Sequence, residues 1–183
     1  MTHQKPASFI RSSGVLMHIS SLPGDYGIGT FGKKAMDFVD FLSTAGCTYW
    51  QTLPFGPIDS YNSPYQSFSA FAGNPFFIDP ELLQTQGLIT REELENARYN
   101  GSPWSTAFEW LRETRIPLFR KAYARCTPEI KTAMSEFCDQ QAHWLPDYAL
   151  YLAIQSSEEG RDWIDWENKD LKNRQPAAIK KAQ

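Results

Sequence analysis

The chain has 183 residues, 42% of them hydrophobic and 14% aromatic, with a net charge of -3 and a pI near 5.6. That is enough apolar material for the core of one domain, and it excludes extended disorder for most of the chain. The mild acidity offers no footprint for nucleic acid or an anionic membrane surface, and no apolar run reaches the ~18 residues of a membrane span.

The first residues, "MTHQKPASFIRSSG", contain no apolar h-region, so no signal peptide is expected, and residues 1–10 are expected to form a flexible N-terminus. Cys47, Cys126 and Cys138 show no metal-ligand spacing and suit a reduced cytoplasm. The expected location is cytoplasmic.

"GVLMHIS" (14–20) is a short apolar run closed by Ser20, Ser21, Pro23 and Gly24, which predicts a buried strand. Phe31, Ala35, Phe38, Leu42 and Ala45 then recur at helical spacing. A helix over about 31–45 is expected, with Thr30 as N-cap and Gly46 as the C′ residue. "TYWQTLPF" (48–55) is a second strand candidate, rich in aromatic and β-branched residues. Strand, helix and strand at this spacing predict a βαβ unit with parallel strands.

A long loop follows over 56–80, and its aromatic content argues against disorder. Beyond it a short helix ends at Gly87, and a second begins at Thr90 with Glu93 at the capping-box position. Residues 104–155 read as helical, punctuated by Pro117, Pro128 and Pro146, and the tail from 161 is tryptophan-bearing and helix-prone. No further strand signal appears. A parallel sheet needs cover on both faces, so two strands alone predict an incomplete sheet.

"GIGTFG" places Gly27, Gly29 and Gly32 in the G-x-G-x-x-G spacing of a dinucleotide-binding turn. Such a turn starts directly at the strand end and has a carboxylate at the end of the next strand. Here Ser20 to Tyr26 intervene and "QTLPFG" has no acid, so the glycines read as a tight loop leading into a helix. His18 stands at the strand end where α/β folds place functional groups, but a structural hydrogen-bonding role is the expectation. His143, beside Trp144, is expected on a packed helix face. The acidic pairs Asp37/Asp40, Glu92/Glu93, Glu158/Glu159 and Asp162/Asp165 read as solvated faces, and none is chosen as a catalytic pair.

The loop "SYNSPYQSFSAFAGNP" (60–75) carries Tyr61, Tyr65, Phe68 and Phe71 among Ser63, Gln66, Ser69 and Asn74. Aromatic faces beside amide and hydroxyl groups suit a sugar ring, which has apolar C–H faces and a polar rim. Tyr65 and Ser63, after a strand end, read as functional, whereas Phe68 and Phe71 are expected to anchor the loop on the core.

At this loop "GVLMHISSLPGDYGIGTFG", "YWQTLPFGP", "NSPYQSFSAFAGNPFFIDPELL" and "WLPDYALYLAI…WIDWENKDLKNRQ" closely resemble the N-terminal part of 4-α-glucanotransferases, the amylomaltase or disproportionating-enzyme family, glycoside hydrolase family 77. The resemblance runs from about Arg11 to the end. It implies an α/β chain that opens a (β/α)8 TIM barrel, with 11–80 as the barrel's start and substrate loop and 81–183 as a mostly helical insertion subdomain, the barrel being incomplete.

The implied activity is transfer of α-1,4-glucan segments between maltodextrins by retaining chemistry, whose two carboxylates stand about 5–5.5 Å apart. The resemblance places the catalytic carboxylates beyond residue 183, so no catalytic residue is expected here and this chain alone is expected to be inactive. Its implied substrate contacts are Tyr65 against a sugar ring and Ser63 bonding a neighbouring glucose. The implied partner is an α-1,4-glucan or maltooligosaccharide, with no nucleic acid, no membrane, no metal and no cofactor. Asn62 stands where the family usually has Asp, and "IDSY" (58–61) where it often has "TGYG", so an accessory tyrosine contact is not carried over. A stand-alone non-catalytic maltodextrin-binding or interaction protein is the alternative reading.

Overall fold

The computed structural model describes residues 11–182; the expected flexible tail 1–10 and His3 lie outside them. Two strands, β1 (Gly14–Leu16) and β2 (Tyr49–Gln51), pair in parallel, with Val15 opposite Trp50. Helix α1 (Lys33–Thr44) makes the crossover between them, as the βαβ pattern predicts.

Both strands are shorter than expected. Met17 N–H donates to Gln51 O at 2.9 Å, but the Met17 carbonyl is then taken by the Trp50 indole N–H at 2.7 Å. The chain next turns into a 3₁₀ segment, Ile19–Ser21, which leaves residues 52–55 without a ladder partner. The expectation of a buried first strand also fails: Leu16 is 58% exposed, because among the described residues no third strand or layer covers that face of the pair.

Helix α1 ends as expected, but it starts later. Gly46 takes φ +73°, its N–H donates to Ser43 O, and Cys47 N–H donates to Leu42 O, the two bonds of a Schellman cap. At the other end Gly32, not Thr30, is the N-cap. The Thr30 hydroxyl instead donates to Asp79 Oδ2, so a long-range carboxylate removes the side chain from capping duty.

Helix α2 (Pro80–Thr85) is capped by Asp79, whose Oδ1 accepts from Glu81 N–H at 2.7 Å. Helix α3 (Arg91–Asn96) has the expected capping box between Thr90 and Glu93. Glu93 is not a solvated acid. Arg125 donates to both of its carboxylate oxygens, and these bonds, with the Thr90 amide, hold its pKa down at about 2.

Helix α4 (Phe108–Ala124) buries Leu111, Arg115, Leu118 and Ala122, a stripe at helical spacing that contains an arginine. Pro117 lies inside α4 without ending it. It sits on the exposed face with Glu113, whose carbonyl has lost its donor and can be hydrated.

The chain forms two compact units, residues 1–126 and 127–183. In the first, Ile19, Ile28, Phe77 and Leu111 form the centre of the core, with Trp50, Ile58 and Trp110 packed around them. In the second, α5 (Pro128–Gln140) and α6 (Leu145–Ser157) begin at Pro128 and just before Pro146, where a missing N–H costs nothing. Leu150 and Ile154 of α6 bury against Trp166, whose ring stacks on Tyr151 at 5.7 Å. Two short helices, α7 (Lys169–Lys172) and α8 (Pro176–Ala182), complete this unit. His143 is exposed in the turn between α5 and α6, not on a packed helix face, because the helix ends three residues before it. Among the described residues no helix is long and apolar enough to cross a membrane.

Leu111 is 0% exposed at the centre of the first core. Leu111→Ala is expected to lower the unfolding free energy by about 3 kcal/mol, the transfer term plus a cavity. A urea titration reads this as a lower midpoint at constant slope; a loss under about 0.5 kcal/mol, the range of ordinary surface substitutions, would contradict it.

Candidate functional site

The glycine loop after β1 is stitched to the segment before α4. Gly24 N–H donates to Pro103 O at 2.9 Å, Tyr99 N–H to Asp25 O at 2.8 Å, and Ala107 N–H to Gly27 O at 2.8 Å. Gly27 has φ +76°, a conformation that disfavours side chains. A Cβ on Gly29 would overlap the Ile19 carbonyl oxygen, and one on Gly32 would overlap the Asp79 carboxylate. The three glycines therefore admit close protein neighbours, and a carboxylate occupies the place a phosphate cradle would need empty.

Tyr26, 4% exposed, is the centre of this arrangement. Its hydroxyl donates to Glu81 Oε1 at 2.9 Å, and burial together with that bond pushes its pKa up. The guanidinium groups of Arg98 and Arg115 lie 5.5 and 5.8 Å from its ring centre. Arg115 is 1% exposed, donates to Tyr26 O at 2.9 Å, and has Nε and Nη1 without a partner among the described residues. Burial lowers its pKa to about 10, so it stays charged at neutral pH.

His18 is 8% exposed at the end of β1. The expected structural hydrogen bond is not what fixes it: Nδ1 has no partner among the described residues. The ring instead stacks on Phe55 at 5.8 Å and meets Phe77 edge-on at 5.3 Å. Phe31 joins the same cluster, 5.2 Å from Phe55. Phe55 immediately precedes the long loop, and its carbonyl accepts from Asn74 N–H at 2.7 Å, which closes the loop at its base.

Within that loop Asp59 Oδ1 accepts from Tyr61 N–H at 3.1 Å and from Ser63 N–H at 2.9 Å, and Asp59 O accepts from Asn62 N–H at 3.1 Å. This is an Asx-type turn that uses a side chain in place of a strand partner. Ser63 Oγ accepts from Tyr65 N–H at 3.3 Å, which leaves the hydroxyl proton to donate. Tyr65 is 71% exposed and Tyr61 86%. Ser63 and Tyr65 thus lie on one short turn, with an aromatic face and a hydroxyl donor side by side.

Phe68 and Phe71 do not anchor the loop in the core; they are 45% and 64% exposed. Phe76 and Phe77 take that role, because Asn74 Oδ1 accepts from Phe76 N–H at 2.9 Å and turns the chain inward there. Arg112, which the sequence reading passed over, reaches the loop from α4 and donates to Asn62 Oδ1. Its only sequence signal was its place three residues before Arg115. Among the described residues no three His, Cys, Asp or Glu side chains gather where they could hold a metal ion.

Residues 17–183 match the family described as 4-alpha-glucanotransferase, glycoside hydrolase family 77. The chain belongs to this family of enzymes, as the motifs around the loop implied. The 4-alpha-glucanotransferase of Clostridium butyricum is 41% identical over 165 residues, which cover 90% of this chain and 34% of that protein. That of Thermus thermophilus is 38% identical over 174 residues, 94% of this chain and 34% of the relative. The solved amylomaltase of Streptococcus agalactiae, in complex with acarbose, matches with a TM-score of 0.89 at 38% identity, over 94% of this chain and 35% of that one. The chain thus spans about a third of the length of these relatives.

Burial holds the His18 pKa below the ordinary 6.5. In the unfolded chain this group binds its proton first as the pH falls, so the stability linked to the neutral ring is complete above 6.5 and is lost below it. An NMR titration of the His18 ring should give a midpoint under 6.5; a midpoint at or above that value would mean the ring is not buried among Phe55 and Phe77.

Proposed function

We propose that this chain contributes the N-terminal wall of the glucan cleft of a 4-α-glucanotransferase, which transfers α-1,4-glucan segments between maltodextrins. Ser63 and Tyr65 are its substrate contacts: Tyr65 presents a ring face to a glucosyl unit, and Ser63 donates to a hydroxyl on the neighbouring one. The observation that carries this reading is the turn itself. It holds a 71% exposed tyrosine beside a serine whose hydroxyl accepts from the Tyr65 amide and keeps its proton to donate. That the Streptococcus agalactiae amylomaltase was solved with acarbose supports a carbohydrate ligand for the matching fold.

The β1–α1–β2 unit is read as the opening of a (β/α)8 barrel, with 11–80 as the barrel part and 81–183 as the helical insertion. The parallel pairing and the uncovered apolar residues Leu16 and Tyr49, 58% and 64% exposed, support that reading, since parallel strands are otherwise covered on both faces. The loop offers no catalytic pair. Of the two acids in 56–80, Asp59 spends one carboxylate oxygen on two backbone amides, and Asp79 is taken by Thr30 and the α2 cap. The retaining carboxylates therefore belong to other strands of the enzyme, and these residues alone bind without transferring.

Calorimetric titration of the chain with maltoheptaose tests this. Tyr65→Ala should weaken binding about tenfold, or about 1.4 kcal/mol, as loss of one stacked face implies. The chain should not convert maltotriose to glucose and longer dextrins. Affinity unchanged by Tyr65→Ala would remove the substrate assignment, and turnover by this chain would remove the assignment of the chemistry to other strands.

A further inference from the structure

The turn that carries Ser63 and Tyr65 has an exposed front and a supported back. Its internal bonds run from Asp59, but a turn held only by its own side chain is free to move as a body on the protein surface. The support comes from α4. Arg112 Nη2 donates to Asn62 Oδ1 and lies 3.5 Å from Asp59 O, so one guanidinium nitrogen meets the turn at two points. Asn62 has φ +64°, a left-handed conformation that Asn adopts more readily than most residues, and its side-chain oxygen is the one Arg112 reaches.

Arg112 is itself well placed to act as a fixed point. Its neighbour Leu111 is 0% exposed in the core, and Arg115, one turn on, is 1% exposed beneath Tyr26. These two residues set the rotation and register of α4. Ile58, just before the turn, packs against the same core cluster as Leu111. The turn is thus attached to the core at one side through Ile58 and at the other through Arg112.

We propose that Arg112 is a positioning residue for the substrate loop: its bond to Asn62 fixes the 59–63 turn against α4 and so places Ser63 and Tyr65 for the glucan. The proposal rests on the reading of Ser63 and Tyr65 as glucan contacts. Arg112 acts through Asn62 and does not itself touch the sugar. An arginine suits the task because its long side chain reaches the turn from α4 and its guanidinium stays charged, so one nitrogen carries two N–H donors to Asn62 Oδ1 and Asp59 O.

The test uses the whole 183-residue chain and two readouts: amide hydrogen exchange at Tyr61 and Ser63, and maltoheptaose affinity by calorimetry. Arg112→Met should speed exchange at both amides about fivefold or more and weaken maltoheptaose binding about fivefold, with exchange in α4 unchanged. Asn62→Gly keeps the left-handed backbone accessible and removes the acceptor, so it should have the same two effects. In the double variant the effects should not add, because both changes remove one bond. Asn62→Asp in an Arg112→Lys background should restore slow exchange through an ion pair.

Unchanged exchange in Arg112→Met overturns the proposal. So does faster exchange with unchanged affinity, since the bond would then hold the turn without placing the contacts. Additive losses of affinity in the double variant would mean that Arg112 touches the glucan directly, and would overturn it too. Failure of the glucan reading is separately visible as wild-type chain with no Tyr65-dependent affinity. In that case the exchange data still decide whether Arg112 holds the turn.

Discussion

The first unit depends on a buried cation. Arg115 enters the core among leucines, with one hydrogen bond to Tyr26 O and its guanidinium against the Tyr26 ring. Removing a guanidinium from water costs several kcal/mol, and one hydrogen bond with one cation–π contact of about 0.5–2 kcal/mol offsets only part of it. The Asp79 carboxylate adds a favourable field, which opposes the loss of the proton. An arginine retained under these terms works as a register pin. Only one rotation of α4 puts its head group under Tyr26 while Leu111 and Leu118 stay dry.

From that pin the connections run outward in both directions. Tyr26 links the glycine loop to α2 through Glu81, and Arg98, over the Tyr26 ring, bonds Asp25 and Glu95. Asp79 bonds Thr30 and caps α2 with its other oxygen. One turn earlier on the same helix, Arg112 reaches the 59–62 segment. The loop after β1 and the loop after β2 are therefore both bonded to α4 or to the segment just before it.

Much of this was readable in the residues. The βαβ unit followed from apolar spacing, the Gly46 cap from a glycine after the last periodic residue, and the α3 capping box from Thr90 and Glu93 three apart. All three are short-range effects, decided within a few residues. Rejecting a nucleotide site at Gly27, Gly29 and Gly32 was also possible from spacing alone. What those glycines accommodate was not, since Asp79 lies 47 residues beyond Gly32 in the chain and meets it only after folding. The misplacements share that cause. Thr30 is a good cap by composition, but its hydroxyl is claimed by the same distant carboxylate. Phe68 and Phe71 are as apolar as Phe76 and Phe77, and only the turn at Asn74 decides which pair faces inward.

By itself the sequence determined the element types, the family through its long ordered motifs, and the choice of Ser63 and Tyr65 as residues whose chemistry suits a sugar. Those depend on local backbone preference and on residue identity. The tertiary structure alone decided that His18 is held by aromatic packing, that Arg115 is buried, and that Arg112 meets Asn62 across 50 residues of chain. The physical reason is that hydrophobic periodicity records which face of an element turns inward, but not which distant group it will meet there. Polar contacts between elements depend on that meeting, and a turn's support is made of such contacts.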